Sequence, residues 1–112
     1  MQYSDNTYVV EIFMAGDYIQ AQQVCREFCM RGLCVTIHSC EYIYTGGQET
    51  GFVVGLRNYP RFPSTPDALF QTAKELANLL RTRLFQESSM IVSPTHTLWE
   101  TTRESSICPP AM

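Results

Sequence analysis

Residues 33–59 read LCVTIHSCEYIYTGGQETGFVVGLRNY, and the period of this stretch decides the fold. From Leu33 the chain alternates, with Leu33, Val35 and Ile37 pointing one way and Cys34, Thr36 and His38 the other, continuing through Tyr42-Ile43-Tyr44. Successive side chains of an extended backbone leave on opposite faces, so a period of two predicts a strand. The polar run Thr45 to Gly51 carries Gly46, Gly47 and Gly51, the chemistry of a hairpin connection. Phe52 to Tyr59 then returns antiparallel as the next strand.

Upstream of this hairpin, Tyr8 to Met14 (YVVEIFM) mixes β-branched and aromatic residues over a short run, the composition of a first strand. Gly16-Asp17 breaks it. Asp17 can cap a helix in which Ala21, Val24, Cys25, Phe28 and Cys29 recur at helical spacing up to Gly32. Downstream, Tyr59 to Pro66 holds three prolines and reads as a stiff loop. Ser64 or Thr65 is a cap with Pro66 and Asp67 in the first turn, and Leu69, Phe70, Ala73, Leu76, Ala77, Leu80 and Leu84 mark a long amphipathic helix. Met90-Ile91-Val92 starts the last element; Ser93 to His96 interrupts it and Thr97-Leu98-Trp99 resumes, as a bulge or a hairpin.

Two β-α-β halves joined by a hairpin give an α+β fold of ferredoxin-like βαββαβ order, an antiparallel sheet with both helices on one face. The other face is then open, and the register places Cys34, Thr36, His38, Cys40, Tyr42 and Tyr44 on it. A chain of 112 residues with 45% apolar content fills one core, so a single domain over 1–112 is expected, with its core at about 7–103 and a C-terminal tail at 104–112.

The totals exclude several classes of function. With 17% charged residues and a net charge of −3, the surface is no footprint for DNA or RNA. No apolar run approaches the roughly 18–20 residues that span a bilayer, and the N-terminus lacks a signal-peptide pattern, so a cytoplasmic protein without a membrane partner is expected. The five cysteines, Cys25, Cys29, Cys34, Cys40 and Cys108, are an odd number, which fits reduced thiols better than a disulfide scaffold. Cys34, His38 and Cys40 alternate along a strand and no C-x-x-C knuckle is present, so neither a metal nor any other cofactor is expected.

No residue set reads as catalytic machinery. His38 and His96 each have a hydroxyl neighbour, but the two-histidine phosphoesterase pattern needs a hydroxyl two residues on, where Cys40 and Leu98 stand. Cys25 and Cys29 sit one helical turn apart, a poor disulfide geometry. Glu11 with Glu41, or Asp67 with Glu75, reads as surface and cap charge. The expectation is therefore a binding protein and not an enzyme. The densest unusual segment is Arg57-Asn58-Tyr59-Pro60-Arg61-Phe62-Pro63, where two guanidiniums, an amide and two rings share a proline-stiffened loop. Arginine forks match phosphate oxygens and rings stack on bases, which suits a nucleotide. Arg57, Asn58, Arg61 and Phe62 are the candidate ligand-binding residues, with Thr95, Trp99 and Arg103 completing the pocket if folding or a neighbouring subunit brings them near.

Val24-Cys25-Arg26-Glu27-Phe28-Cys29, Tyr42-Ile43-Tyr44-Thr45-Gly46-Gly47 and Tyr59-Pro60-Arg61-Phe62-Pro63 give the chain a likeness to small phage proteins, and it resembles the Thoeris anti-defence protein 1 family of phage sponges over about Tyr8 to Arg103. The resemblance implies capture, without cleavage, of a cyclic nucleotide or cyclic ADP-ribose immune signal. It further implies a homo-oligomer, a dimer or hexamer, with pockets at subunit contacts. Silencing a signal in this way needs nanomolar affinity, about −12 kcal/mol. The alternative is a phage inhibitor that occludes a host defence enzyme through its open sheet face. Weak hydrolysis of a cyclic nucleotide at His38 or His96 ranks third.

Overall fold

In the computed structural model of the chain, residues 1–102 are described. The elements follow in the order β1 (Val9–Ala15), α1 (Tyr18–Phe28), β2 (Thr36–Tyr44), β3 (Gly47–Arg57), α2 (Pro66–Leu84), β4 (Ser88–Val92) and β5 (Thr97–Thr101). All neighbouring strands are antiparallel, and the sheet order is β2-β3-β1-β4-β5. The fold is thus α+β, and the expected four-stranded sheet is corrected to five strands. Ser93 to His96 close a tight turn, with the Ser93 N–H donating to the His96 carbonyl at 2.9 Å, so the interrupted last strand is a hairpin.

Local chemistry explains the elements. The Asp17 carboxylate accepts the Gln20 N–H and starts α1, and Gly32 at φ 95° ends the short 3-10 turn that follows it. Thr65, not Ser64, caps α2 by accepting the Ala68 N–H, with Pro66 in the first turn, where a missing N–H costs nothing. The β2–β3 hairpin is tighter than the glycine-rich run suggested. Tyr44 pairs with Gly47, so only Thr45 and Gly46 form the loop, and β3 begins five residues earlier than Phe52. Gly46 carries the turn at φ 82°, a conformation that favours glycine.

Both helices bury their apolar stripes on one face of the sheet. Val10, Ile12 and Met14 of β1, Phe52, Val54 and Leu56 of β3 and Ile91 of β4 meet Ala21, Val24, Cys25 and Phe28 of α1 and Leu69, Ala73, Leu76, Ala77, Leu80 and Leu84 of α2. Leu33 and Val35, just before β2, and Ile37 within it pack against the edge of this core, as the alternation from Leu33 predicts. Two ion pairs tie the helical layer together, Arg83 with Glu27 at 2.7 Å and Arg31 with Glu75 at 2.8 Å. No described helix is long and apolar enough to cross a membrane.

Candidate functional site

The even positions of β1 and β3 face the helices, so the odd positions face the other side, and the register lays them out in rows. One row runs Thr36, Gly55, Glu11, Val92, Thr97 across all five strands. The next runs His38, Val53, Phe13, Met90, Trp99. Rows two residues apart lie about 7 Å from one another. A half-buried carboxylate in the central strand therefore has aromatic side chains one row away on its own face.

Gly55 is the low point of this face. A Cβ placed there would stand 2.6 Å from Thr36 Oγ1 and 3.6 Å from the Arg57 NH2 nitrogen, so the Arg57 guanidinium folds back over the bare glycine instead of extending from the strand end. Glu11 is the registered partner of Gly55 on β1. An arginine and a carboxylate thus flank one backbone position that has no side chain and is buried beneath its neighbours, and neither makes an ion pair with a described residue. Charged groups held near a sheet surface without a partner retain the capacity to bind one. The arrangement fits a zwitterion, with an acid group toward Arg57 and an ammonium toward Glu11.

The edge of the face is organised by hydroxyls. Tyr59 donates to Cys34 Sγ at 3.2 Å, and that contact, with burial, raises the phenol above its ordinary value while Arg57 pulls it down. The Tyr42 hydroxyl accepts the Met14 N–H at 3.1 Å and donates to the Phe52 carbonyl at 2.7 Å; burial first, then Cys40, raises its titration. Cys25 lies on the opposite, helical side, where burial pushes its thiol up to about 12, which keeps it protonated and unreactive.

The sequence-based candidates separate in space. Arg57 is on the open face, and Trp99 lies on the same face two rows along and three strands away. Asn58 is 9% exposed and its side chain is committed within the protein: Nδ2 donates to the Asn6 carbonyl of the N-terminal segment at 2.7 Å and Oδ1 accepts the Ser64 N–H at 2.8 Å. Arg61 and Phe62 are exposed on that loop, with Phe62 against Tyr59 at 5.1 Å between ring centroids. Thr95 is in the β4–β5 turn, 3.1 Å from His96 Nδ1. Arg103 lies outside the described residues, as do Cys108 and the tail 104–112. Sequence reasoning weighed Glu11 with Glu41 and read it as surface charge, and it passed over Gly55. The signal for Glu11 was available: a lone carboxylate inside the apolar run YVVEIFM, at an odd position of the strand.

No protein-family model matches the sequence, and no curated protein matches it either. Among solved structures, the chain is similar to a phage SAM lyase in complex with S-methyl-5'-thioadenosine, with a TM-score of 0.66 at 13% identity over 95% of this chain and 98% of that one. It is also similar to a phage SAM lyase in the apo state, with a TM-score of 0.63 at 14% identity over 88% and 92% of the two chains. The likeness is one of fold. It corrects the expectation of a binding protein that is not an enzyme: the matching fold is that of a lyase, so the lack of a recognisable nucleophile or base in the sequence does not mark this fold as non-catalytic. The ligand in the matching structure is a thionucleoside, a small molecule, and no match carries cyclic ADP-ribose or a Thoeris sponge.

Proposed function

We propose that this chain binds SAM, S-adenosylmethionine, on the open face of its sheet and cleaves it to S-methyl-5'-thioadenosine. The observation that carries the reading is the Arg57 guanidinium folded over Gly55 beside Glu11, a fit for the carboxylate and ammonium of an amino-acid head group. The sulfonium then reaches the row of Phe13 and Trp99, whose ring faces attract a cation. The likeness to SAM lyases supports the choice of this zwitterion over others.

The chemistry asks little of the protein. A carboxylate oxygen of SAM attacks its own Cγ, the O–Cγ bond forms as the Cγ–S bond breaks, and the sulfur keeps the electron pair. Homoserine lactone and S-methyl-5'-thioadenosine leave, with no water consumed and no proton transferred. Nucleophile and leaving group both belong to the substrate, so the reaction asks for no base from the protein. What the residues supply is conformation: Glu11 and Arg57 hold the chain folded so that oxygen and Cγ meet. A negative and a positive charge merge into neutral groups, a change that a partly dehydrated surface favours over bulk water. In a phage, such a protein would act against host defence by removing the methyl donor.

The test is incubation of the purified protein with SAM, followed by separation of the products. Release of S-methyl-5'-thioadenosine with the lactone is expected, and Arg57→Ala and Glu11→Gln should each slow it tenfold or more. Recovery of intact SAM from the protein on denaturation would overturn cleavage, and retention of full activity by both variants would overturn the site.

A further inference from the structure

On the helical side of the sheet, a cavity of about 340 Å³ opens between the start of β1, the first turns of α2 and the β4–β5 turn. We infer that this cavity is a second ligand site, separate from the open face, and that it takes a linear aliphatic diamine. Its size is that of a small-molecule pocket, with apolar walls and a few polar groups.

Three rings line it: Tyr8, Phe70 and His96. Phe70 and His96 lie 4.8 Å apart between centroids at 41°, a tilted pair that fixes both side chains. The turn beneath is satisfied internally, since Ser93 Oγ accepts the N–H groups of Thr95 and His96 and donates to the His96 carbonyl at 2.9 Å. Thr95 Oγ1 meets His96 Nδ1. The polar groups left over are the Asp67 carboxylate, the Gln71 amide and the Tyr8 hydroxyl, none of which has a hydrogen bond to a described residue.

Charge selects the ligand. Asp67 is the cavity's only formal charge, and no lysine or arginine lines it. A second cavity of about 400 Å³ adjoins it, sharing Tyr8 and Pro66, and its only formal charge is Asp5. An anion would meet a carboxylate at each end, even though α2 points its N-terminus here; Asp67 already answers that dipole. A diamine places one ammonium at Asp67 and the other at Asp5, and lays its methylene stem along Tyr8 and Pro66. Aromatic faces add to ammonium binding.

Putrescine and cadaverine are the probes, with butylamine as the one-headed control, and titration calorimetry on the full chain reads the result. Saturable binding of the diamines, at least tenfold tighter than butylamine and weakened tenfold or more by Asp67→Asn, is expected. Asp5→Asn should bring putrescine down to the butylamine level, and Phe70→Leu, which keeps the core filled, should weaken all three amines. Equal affinity for mono- and diamine, or binding unchanged in Asp67→Asn, would overturn the assignment, as would tighter binding of S-methyl-5'-thioadenosine to this cavity, seen by chemical shifts at Phe70 and His96. The SAM-cleavage assay reads the other face, so failure there leaves this result standing.

Discussion

The Tyr42 ring occupies the space that a side chain at Gly51 would need: a Cβ at Gly51 would stand 2.5 Å from Tyr42 Cε2. The ring crosses the glycine so that its hydroxyl reaches the β1–β3 ladder, bridging the Met14 N–H and the Phe52 carbonyl. The same Cβ would also meet the Met14 carbonyl oxygen, which is backbone and cannot rotate away. Gly51→Ala should therefore cost about 3 kcal/mol, as overpacking at a rigid site does. Tyr42→Phe keeps the ring and loses the bridge, for about 1–2 kcal/mol. Urea unfolding midpoints rank the two, and a Gly51→Ala protein as stable as the parent would disprove the crossing.

Gly55 differs in kind. A Cβ there meets the Thr36 hydroxyl and the Arg57 guanidinium, both ends of side chains that can move. Gly55→Ala should fold with its melting temperature within a few degrees of the parent and yet raise the KM for SAM about tenfold, because the methyl occupies the cradle. An unchanged KM would argue against a ligand seated over Gly55.

Asn58 joins three chain segments, since its backbone N–H also donates to the Tyr8 carbonyl at 3.1 Å. Asn58→Ala should destabilise the protein by about 1–3 kcal/mol, because it leaves the Asn6 carbonyl and the Ser64 N–H without their partner. Asn58→Asp keeps the acceptor for Ser64 but turns a carboxylate on the Asn6 carbonyl. Hydrogen exchange at the Ser64 amide separates them: fast in the alanine variant, still slowed in the aspartate one.

Arg83 grips both oxygens of Glu27, at 2.7 and 3.2 Å, and holds its carboxyl well below the usual 4.5, at about 2. Hydrogen bonding to Arg83 leads, Gln23 adds to it and burial opposes both. A carboxyl depressed in the folded state stabilises above its unfolded value and loses that contribution as pH falls through the folded one. The melting temperature of the parent should exceed that of Arg83→Ala above about pH 4.5, and the gap should narrow between there and about pH 2. Both groups are solvent-exposed, so added salt should shrink the gap as well. A gap independent of pH would assign Arg83 a packing role.

Much of the fold was legible in the chain, because the signals that place it are local. The Asp17 and Thr65 caps, the helical stripe from Leu69 to Leu84 and the alternation from Leu33 to Tyr44 each depend on residues within a turn or two of one another. The extent of the β2–β3 hairpin was not: the polar run Gln48 to Thr50 reads as loop, yet β3 carries it as strand, because this end of β3 runs past β1 and pairs with β2 alone.

By itself the sequence determined which segments are strand or helix and which side chains of each strand share a face, since both follow from backbone geometry over a few residues. Only the tertiary structure decided that Glu11 stands beside Gly55, that Arg57 folds over that glycine, and that Tyr8, Phe70 and His96 enclose one cavity. Those neighbours are set by the hydrogen-bond register between strands and by the seating of α2 on the sheet, which join residues too far apart along the chain for any local pattern to record.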